Sequence, residues 1–273
     1  FVVRQQYGIQ WPAIYRAQDM QGARGWLIGA KNFTDENGNS FPYKVVTVGP
    51  RNPQFFAAYP IKMEMTAKFE PTVVSVDGVP SFAKDVTIAN IDETMKWDRM
   101  IVNTVNTQLG ITMERKIFQF SQQYNDNYIV YEYTFTNTGN TDDDEEIELP
   151  GNNIEGFYTF WTFRNAVNQS VRFVIGNSTG WGKNTMNDTR GDGRTDADNP
   201  NNFRTQYSWH GYTSEKVVSY NNIGGPIWAL NSNALTWNAS DDTIGRLGGT
   251  QFLGTLTLHA DQSYNNENDN PSQ

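Results

Sequence analysis

Residues 111–140, ITMERKIFQFSQQYNDNYIVYEYTFTNTGN, decide how this chain reads. Ile111 to Phe120 and Tyr128 to Thr136 flank a polar connection, Ser121 to Asn127. In the second segment Ile129, Tyr131, Tyr133 and Phe135 fall on one face, while Tyr128, Val130, Glu132 and Thr134 fall on the other. A period of two is the signature of a half-buried strand, and two such runs around a short polar link predict a long antiparallel hairpin. Asn137-Thr138-Gly139-Asn140 then ends the strand with residues that tolerate positive φ, and the acidic run Asp142 to Glu146 reads as a solvated loop.

The same pattern extends outward. Gly25 to Phe33 and Phe41 to Val48 flank Asn37-Gly38, and Thr72 to Val76 precedes Asp77-Gly78, both dipeptides that favour hairpin turns. Further strands are expected at Gly156 to Arg164, Val171 to Ile175, Arg204 to Tyr212, Lys216 to Tyr220 and Gln251 to Ala260. Helical spacing occurs only in Ile91 to Asn106, through Trp97, Ile101 and Val105, and the β-branched residues there weigh against a helix. The expectation is an all-β fold, a large antiparallel β-sandwich of jelly-roll or Ig-like kind with long loops. Residues 1–260 are expected to form one domain, and 261–273 a polar Asn/Asp-rich tail.

Composition agrees with such a core and narrows the partners. Of 273 residues, 37% are apolar and 14% aromatic, enough to build a buried interior rich in strand-favouring rings. A net charge of −9 and a pI near 4.7 argue against nucleic acid and against anionic membrane surfaces, which call for clustered Lys and Arg. No apolar run is long enough to suggest a spanning helix, so membrane insertion is not expected. The absence of cysteine removes disulfides, thiolate zinc sites and cysteine nucleophiles.

Oxygen-bearing side chains crowd most densely in Asn187 to Asn202, NDTRGDGRTDADNPNN. Aligned on a helix-loop-helix calcium loop from Asp188, Arg190 occupies a ligand position and Asn199 stands where a bidentate Glu is wanted, so that motif fails. Two readings stand. Asp188, Asp192, Asp196 and Asp198 converge on one calcium ion in a looser β-loop site, or they point separately into water. Sequons begin at Asn32, Asn168, Asn177, Asn187 and Asn238, a number that an Asn-rich composition produces by chance.

Catalytic constellations are weak. Glu132 with Glu155 or Asp98 would make a glycosidase-type carboxylate pair, but their spacing selects no pair among 30 acidic residues. His210 and His259 are the only imidazoles for a triad or metal centre, and no third metal ligand accompanies them. Trp11, Trp181, Trp228 and Trp237 lie in Gly-, Pro- or Asn-rich stretches, and Trp181 and Trp237 are the candidates for stacking a sugar. Self-association through exposed strand edges is the third class of function.

Three phrases carry a resemblance: Gly25 to Lys31 (GWLIGAK), Tyr131 to Asn140 (YEYTFTNTGN) and Gly249 to Asp261 (GTQFLGTLTLHAD). Together with Gly191 to Asp196 and Gln206 to Gly211, they resemble large, uncharacterised secreted bacterial surface proteins that carry a C-terminal sorting domain of the type IX secretion kind. The resemblance implies an extracellular or cell-surface location, an all-β body and a longer precursor, and it brings no catalytic residue with it. The expected function is therefore structural or adhesive and not enzymatic: a β-sandwich assembling with copies of itself into a filament or surface layer. The alternatives are a carbohydrate-binding module that meets surface polysaccharide and, third, a polysaccharide-degrading enzyme.

Overall fold

A computed structural model of the chain describes residues 21–48, 57–71, 75–80, 87–165, 185–190, 204–210, 252–261 and 263–266. They contain β1 (Gln21–Thr34), β2 (Ser40–Val48), β3 (Ala58–Ala67), β4 (Ser75–Val76), β5 (Val79–Pro80), β6 (Ile88–Ile91), β7 (Arg99–Thr107), β8 (Ile111–Gln119), β9 (Ile129–Asn137), β10 (Glu155–Asn165), β11 (Thr185–Arg190), β12 (Thr205–His210) and β13 (Phe252–Leu256), with no helix among the described residues. The chain divides into two compact units, Trp26–Trp161 and, separately, Phe1–Gly25 with Thr162–Gln273.

The first unit is a β-sandwich. A three-stranded sheet, β10-β1-β2, contributes Trp26, Ile28, Ala30, Phe33 and Val46 to a core whose other side is Val105, Ile111 and Met113 from the five-stranded sheet β6-β3-β7-β8-β9 and Leu109 from its β7–β8 turn. Aromatic rings join the two layers: Trp26 meets Phe135 edge-on at 5.8 Å, and Tyr133 meets Trp161 at 4.4 Å. The expected central hairpin is β8–β9, registered from Ile111↔Asn137 to Gln119↔Ile129. On β9, Tyr131, Tyr133 and Phe135 are half-buried while Glu132, Thr134 and Thr136 are exposed, as alternation requires.

Turn chemistry fixes the register. Between β1 and β2, Asp35 Oδ1 accepts the backbone N–H groups of Asn37 and Asn39 at 3.0 and 2.8 Å, and Gly38 takes φ +78°. Between β4 and β5, Asp77 and Gly78 both have positive φ, 53° and 80°, which is the geometry of a two-residue hairpin turn. Asn32 is left-handed within a strand, at φ 49°. That one residue inverts the alternation of β1: Trp26, Ile28 and Ala30 face inward before it, and Phe33 faces inward after it, opposite Phe41.

Strand pairing settles two further details. The sheets are not wholly antiparallel, because β6 pairs with β3 in parallel; the connection from Lys68 to Thr87 is long enough to return the chain in the same direction. The helical spacing over Ile91 to Asn106 resolves into the end of β6, a turn, and β7, where Ile101, Val102 and Val105 lie in a strand between β3 and β8. Asp92 holds that turn, its Oδ1 accepting the N–H of Thr94 at 2.9 Å and the hydroxyl of Thr94 at 2.6 Å.

In the second unit, β12 lies between β11 and β13, both antiparallel to it. The strands expected at Val171 to Ile175 and Lys216 to Tyr220 lie outside the described residues, and Ser263 to Asn266 forms a small bridged turn in the polar tail.

Glycine geometry gives a paired test. Gly139 and Gly151 have nearly equal φ, +76° and +75°, but a Cβ at Gly139 would collide with the Leu149 carbonyl oxygen while Gly151 faces open space. Gly151→Ala is expected to cost about 1–2 kcal/mol from left-handed strain alone, and Gly139→Ala to cost distinctly more, read as the difference between their urea midpoints.

Candidate functional site

The densest polar constellation among the described residues lies in the loop that follows β9. Its foundation is Asn106, a buried residue on the outer face of β7. Asn106 Nδ2 donates to Asn140 Oδ1 and to the Asp142 carbonyl, each at 2.8 Å, while its Oδ1 accepts the Thr112 hydroxyl at 2.6 Å. Asn140 in turn donates to the Asp144 carbonyl at 2.8 Å. The loop end is stitched to the β7–β8 turn, where the Gly110 carbonyl accepts the N–H groups of Thr138 and Gly139, at 3.0 and 2.9 Å. Asn152 Nδ2 donates to the Leu109 carbonyl at 2.8 Å.

On this frame the acidic side chains fold back on their own backbone. Asp142 Oδ1 accepts the N–H of Asp144 at 3.0 Å, and Asp144 Oδ1 that of Glu146 at 2.8 Å. Glu148 Oε2 accepts the N–H of Thr141 at 2.6 Å, and Thr141 Oγ1 stands 2.7 Å from Glu36 Oε2 and 3.1 Å from Glu148 Oε2. One hydroxyl proton serves only one of those carboxylates at a time. One oxygen each of Asp142, Asp144 and Glu148 lies within 4.8 Å of the others, a donor set that could hold a metal ion. The backbone N–H of Thr141 is the main cause that holds the Glu148 carboxyl below its ordinary value of 4.5.

This cluster was legible only in part. The run Asp142 to Glu146 reads as solvated, and Asp143, Glu145 and Glu146 are exposed. The signal that marks the rest is the alternate spacing Asn140, Asp142, Asp144, Glu146, Glu148. Glu36 could not be found that way, since it comes from the β1–β2 turn 105 residues earlier.

Of the residues singled out from sequence, some fall on described strands and the others lie outside the described residues. Asp188 is on β11 and not in a loop, opposite Tyr207, whose hydroxyl donates to Asp188 Oδ2 at 3.2 Å. Asp192, Asp196 and Asp198, with Trp11, Trp181, Trp228 and Trp237, lie outside the described residues, as do Asn168, Asn177 and Asn238. Asn187 sits on β11 opposite Ser208. Asn32 is exposed, and its Nδ2, the atom a glycan would modify, donates to Glu155 Oε2 at 2.8 Å.

The carboxylates considered for catalysis each have their own local partner. Glu155 receives Asn32, Glu132 pairs with Lys116 at 3.5 Å on the outer face of the five-stranded sheet, and Asp98 Oδ2 accepts the N–H of Ser121 at 2.7 Å. His259 Nε2 lies 2.6 Å from Asp261 Oδ1 beyond β13, both exposed, and His210 is the last residue of β12.

Comparison with known proteins returns no matching family, no matching curated relative and no matching solved structure. No helix among the described residues is long and apolar enough to cross a membrane.

The Glu148 carboxyl is lowered in the folded chain, so its contribution to stability is complete above its ordinary value of 4.5 and is lost as pH falls through the lower folded value. Asp35 and Asp92 are lowered too: burial works against the shift at Asp35 but the bonds from Asn39 and Asn37 prevail, and at Asp92 the Thr94 hydroxyl leads. In chelator, Glu148→Gln is expected to flatten, without abolishing, the fall of the urea midpoint below pH 4.5. An unchanged acid slope would remove Glu148 from the network.

Proposed function

We propose that this chain is an extracellular structural or adhesive protein, a β-sandwich that assembles with copies of itself on or outside a bacterial cell. The observation that carries this reading is the apolar row on β13, the outermost strand of its described sheet. Phe252 and Leu256 on the strand and Leu258 just after it are all exposed, and Phe252 to Leu258, FLGTLTL, contains neither charge nor proline. Strands at sheet edges ordinarily carry Lys, Pro or a bulge that discourages pairing with another chain. β2, at one edge of the three-stranded sheet, has such features, Pro42 and Lys44. β13 has none of them, which suits a strand that meets another copy. The location outside the cell rests on the resemblance to secreted bacterial surface proteins.

Calcium is the cation we assign to the Asp142, Asp144 and Glu148 cluster. The donors are hard oxygens on a self-bonded loop, and calcium accepts irregular sets of carboxylate and carbonyl oxygens. The ion would stiffen the loop and would take no part in a reaction.

Assembly is tested by sedimentation and negative-stain electron microscopy across a concentration series. The native chain is expected to form oligomers or fibres, and Leu256→Lys to raise the onset concentration by about tenfold or more, with an unchanged circular dichroism spectrum. A native chain that stays monomeric throughout, or a variant that assembles identically, would overturn the reading. For calcium, the melting temperature is expected to rise in millimolar calcium, by the equivalent of about 2.7 kcal/mol at a hundred times the dissociation constant. The double variant Asp144→Asn, Glu148→Gln is expected to be unresponsive. A native melt indifferent to calcium would dismiss the ion.

A further inference from the structure

The outer face of the three-stranded sheet presents an apolar surface that the core does not use. Opposite the inward row of Trp26, Ile28 and Ala30, β1 presents the half-buried Leu27, then Gly29 and Lys31. β2 sets Val45 beside Gly29 and Tyr43 beside Lys31. On the other side, Asn32 meets Glu155, Lys31 meets Gly156 and Trp26 meets Trp161, so β10 runs against β1 and brings Tyr158 level with Gly29. Phe160 follows on the same face. Tyr43, Val45, Tyr158 and Phe160 are 74%, 58%, 62% and 64% exposed.

The surface has a defined shape. Strands next but one to each other are about 10 Å apart, so Tyr43 and Val45 form one wall, Tyr158 and Phe160 the other, and Gly29 the floor. The ammonium of Lys31 lies 5.6 Å from the Tyr158 ring centroid, at one end. Nothing in the fold requires a glycine at this floor: a Cβ at Gly29 would meet the Lys44 carbonyl oxygen at 3.4 Å and Val45 Cγ2 at 3.5 Å, ordinary contact distances, and its φ is not left-handed. The missing side chain keeps the trough open.

We infer that this trough binds a neutral polysaccharide chain, its pyranose rings lying against Tyr43, Tyr158 and Phe160 while Lys31 and the two phenols hydrogen-bond its hydroxyls. Size separates this occupant from a second copy. At roughly 150–250 Å² per aromatic side chain, three rings about two-thirds exposed plus one valine offer about 500 Å², against the ~800 Å² per partner of a standard protein interface. The largest apolar patch of a typical monomer is about 300–600 Å² and is often functional. Charge separates it from phosphate-rich partners: the chain carries −9, and Lys31 is the cation among the described side chains of this face. Uncharged sugar meets no such repulsion. The inference stands apart from assembly through β13, which lies in the other unit.

The test is titration of the native chain with soluble neutral glucans, mannans and xylans, by calorimetry and affinity electrophoresis, with a polyuronate as the anionic comparison. At least one neutral polymer is expected to bind. Phe160→Ala and Gly29→Val are each expected to weaken it by about tenfold or more with unchanged urea midpoints, the valine by filling the floor. Failure of every neutral polymer to bind, binding of the polyuronate alone, or full binding by Gly29→Val would overturn the inference. Loss of self-association in Phe160→Ala, with no sugar bound by the native chain, would reassign the trough to a second copy.

Discussion

Burial of Trp26 between two sheets is the interaction on which the sandwich depends. The ring is 2% exposed and touches Phe135 across the layers and Trp161 within its own sheet. Its indole N–H finds no acceptor among the described residues. An unsatisfied buried donor costs about 1–3 kcal/mol, whereas removing about 150–250 Å² of aromatic surface from water contributes roughly 4–6 kcal/mol. The hydrophobic term wins, and the wide indole sets how far apart the sheets lie around it. Ile28, Phe33, Leu109 and Met113 then fill the remaining space in a single cluster.

Alternation cannot by itself close such a core, because a strict period of two would carry Phe33 to the solvent. The left-handed Asn32 corrects this, and its side chain is used again to reach Glu155 on the neighbouring strand. Across the sandwich the equivalent joint is polar. Asn106 and Asn140 satisfy the backbone of the loop after β9, and the Gly110 carbonyl takes two of that loop's N–H groups. A buried amide that lost these partners would leave donors unpaired at a cost larger than any single bond contributes. The acidic loop is therefore held from below, so its carboxylates are gathered by the fold despite their mutual repulsion.

What was legible in the sequence follows from the range of the forces involved. The β8–β9 hairpin and the Asn37-Gly38 and Asp77-Gly78 turns are local, set by a period of two and by residues that accept positive φ, and the structure has all three. The spacing of Trp97, Ile101 and Val105 suggests a helix as readily as a strand over so short a window, and pairing of β7 with β3 and β8 settles it. Arg115 breaks the apolar pattern in a way local sequence shows: it occupies the same row as Ile111, Met113 and Ile117, and it is buried there, donating to Asn103 at 3.0 Å. Glu36 beside Thr141 depends on contacts far apart in sequence, as does the platform formed by Tyr43 and Tyr158 on either side of β1. No window of local sequence contains them.

The two outer faces of the sandwich differ for a reason that bears on function. On the five-stranded sheet, Lys62 pairs with Glu64 and Lys116 with Glu114 along their own strands, and Lys116 with the opposed Glu132, so the charges neutralise one another and keep that face in water. Glu114 is the leading cause that raises the Lys116 ammonium above its ordinary value, with Glu132 adding to it, so the cation stays committed to its carboxylates through the neutral range. The three-stranded sheet has no such lattice among its described side chains, and around Gly29 its outward positions hold Tyr43, Val45, Tyr158 and Phe160, with Leu27 and Lys31 on either side. A sheet needs one apolar face to fold, and that need is met by Trp26, Ile28 and Ala30. A second apolar face adds nothing to folding and exposes the chain to non-specific contact. The polysaccharide inferred for that face would offset this cost.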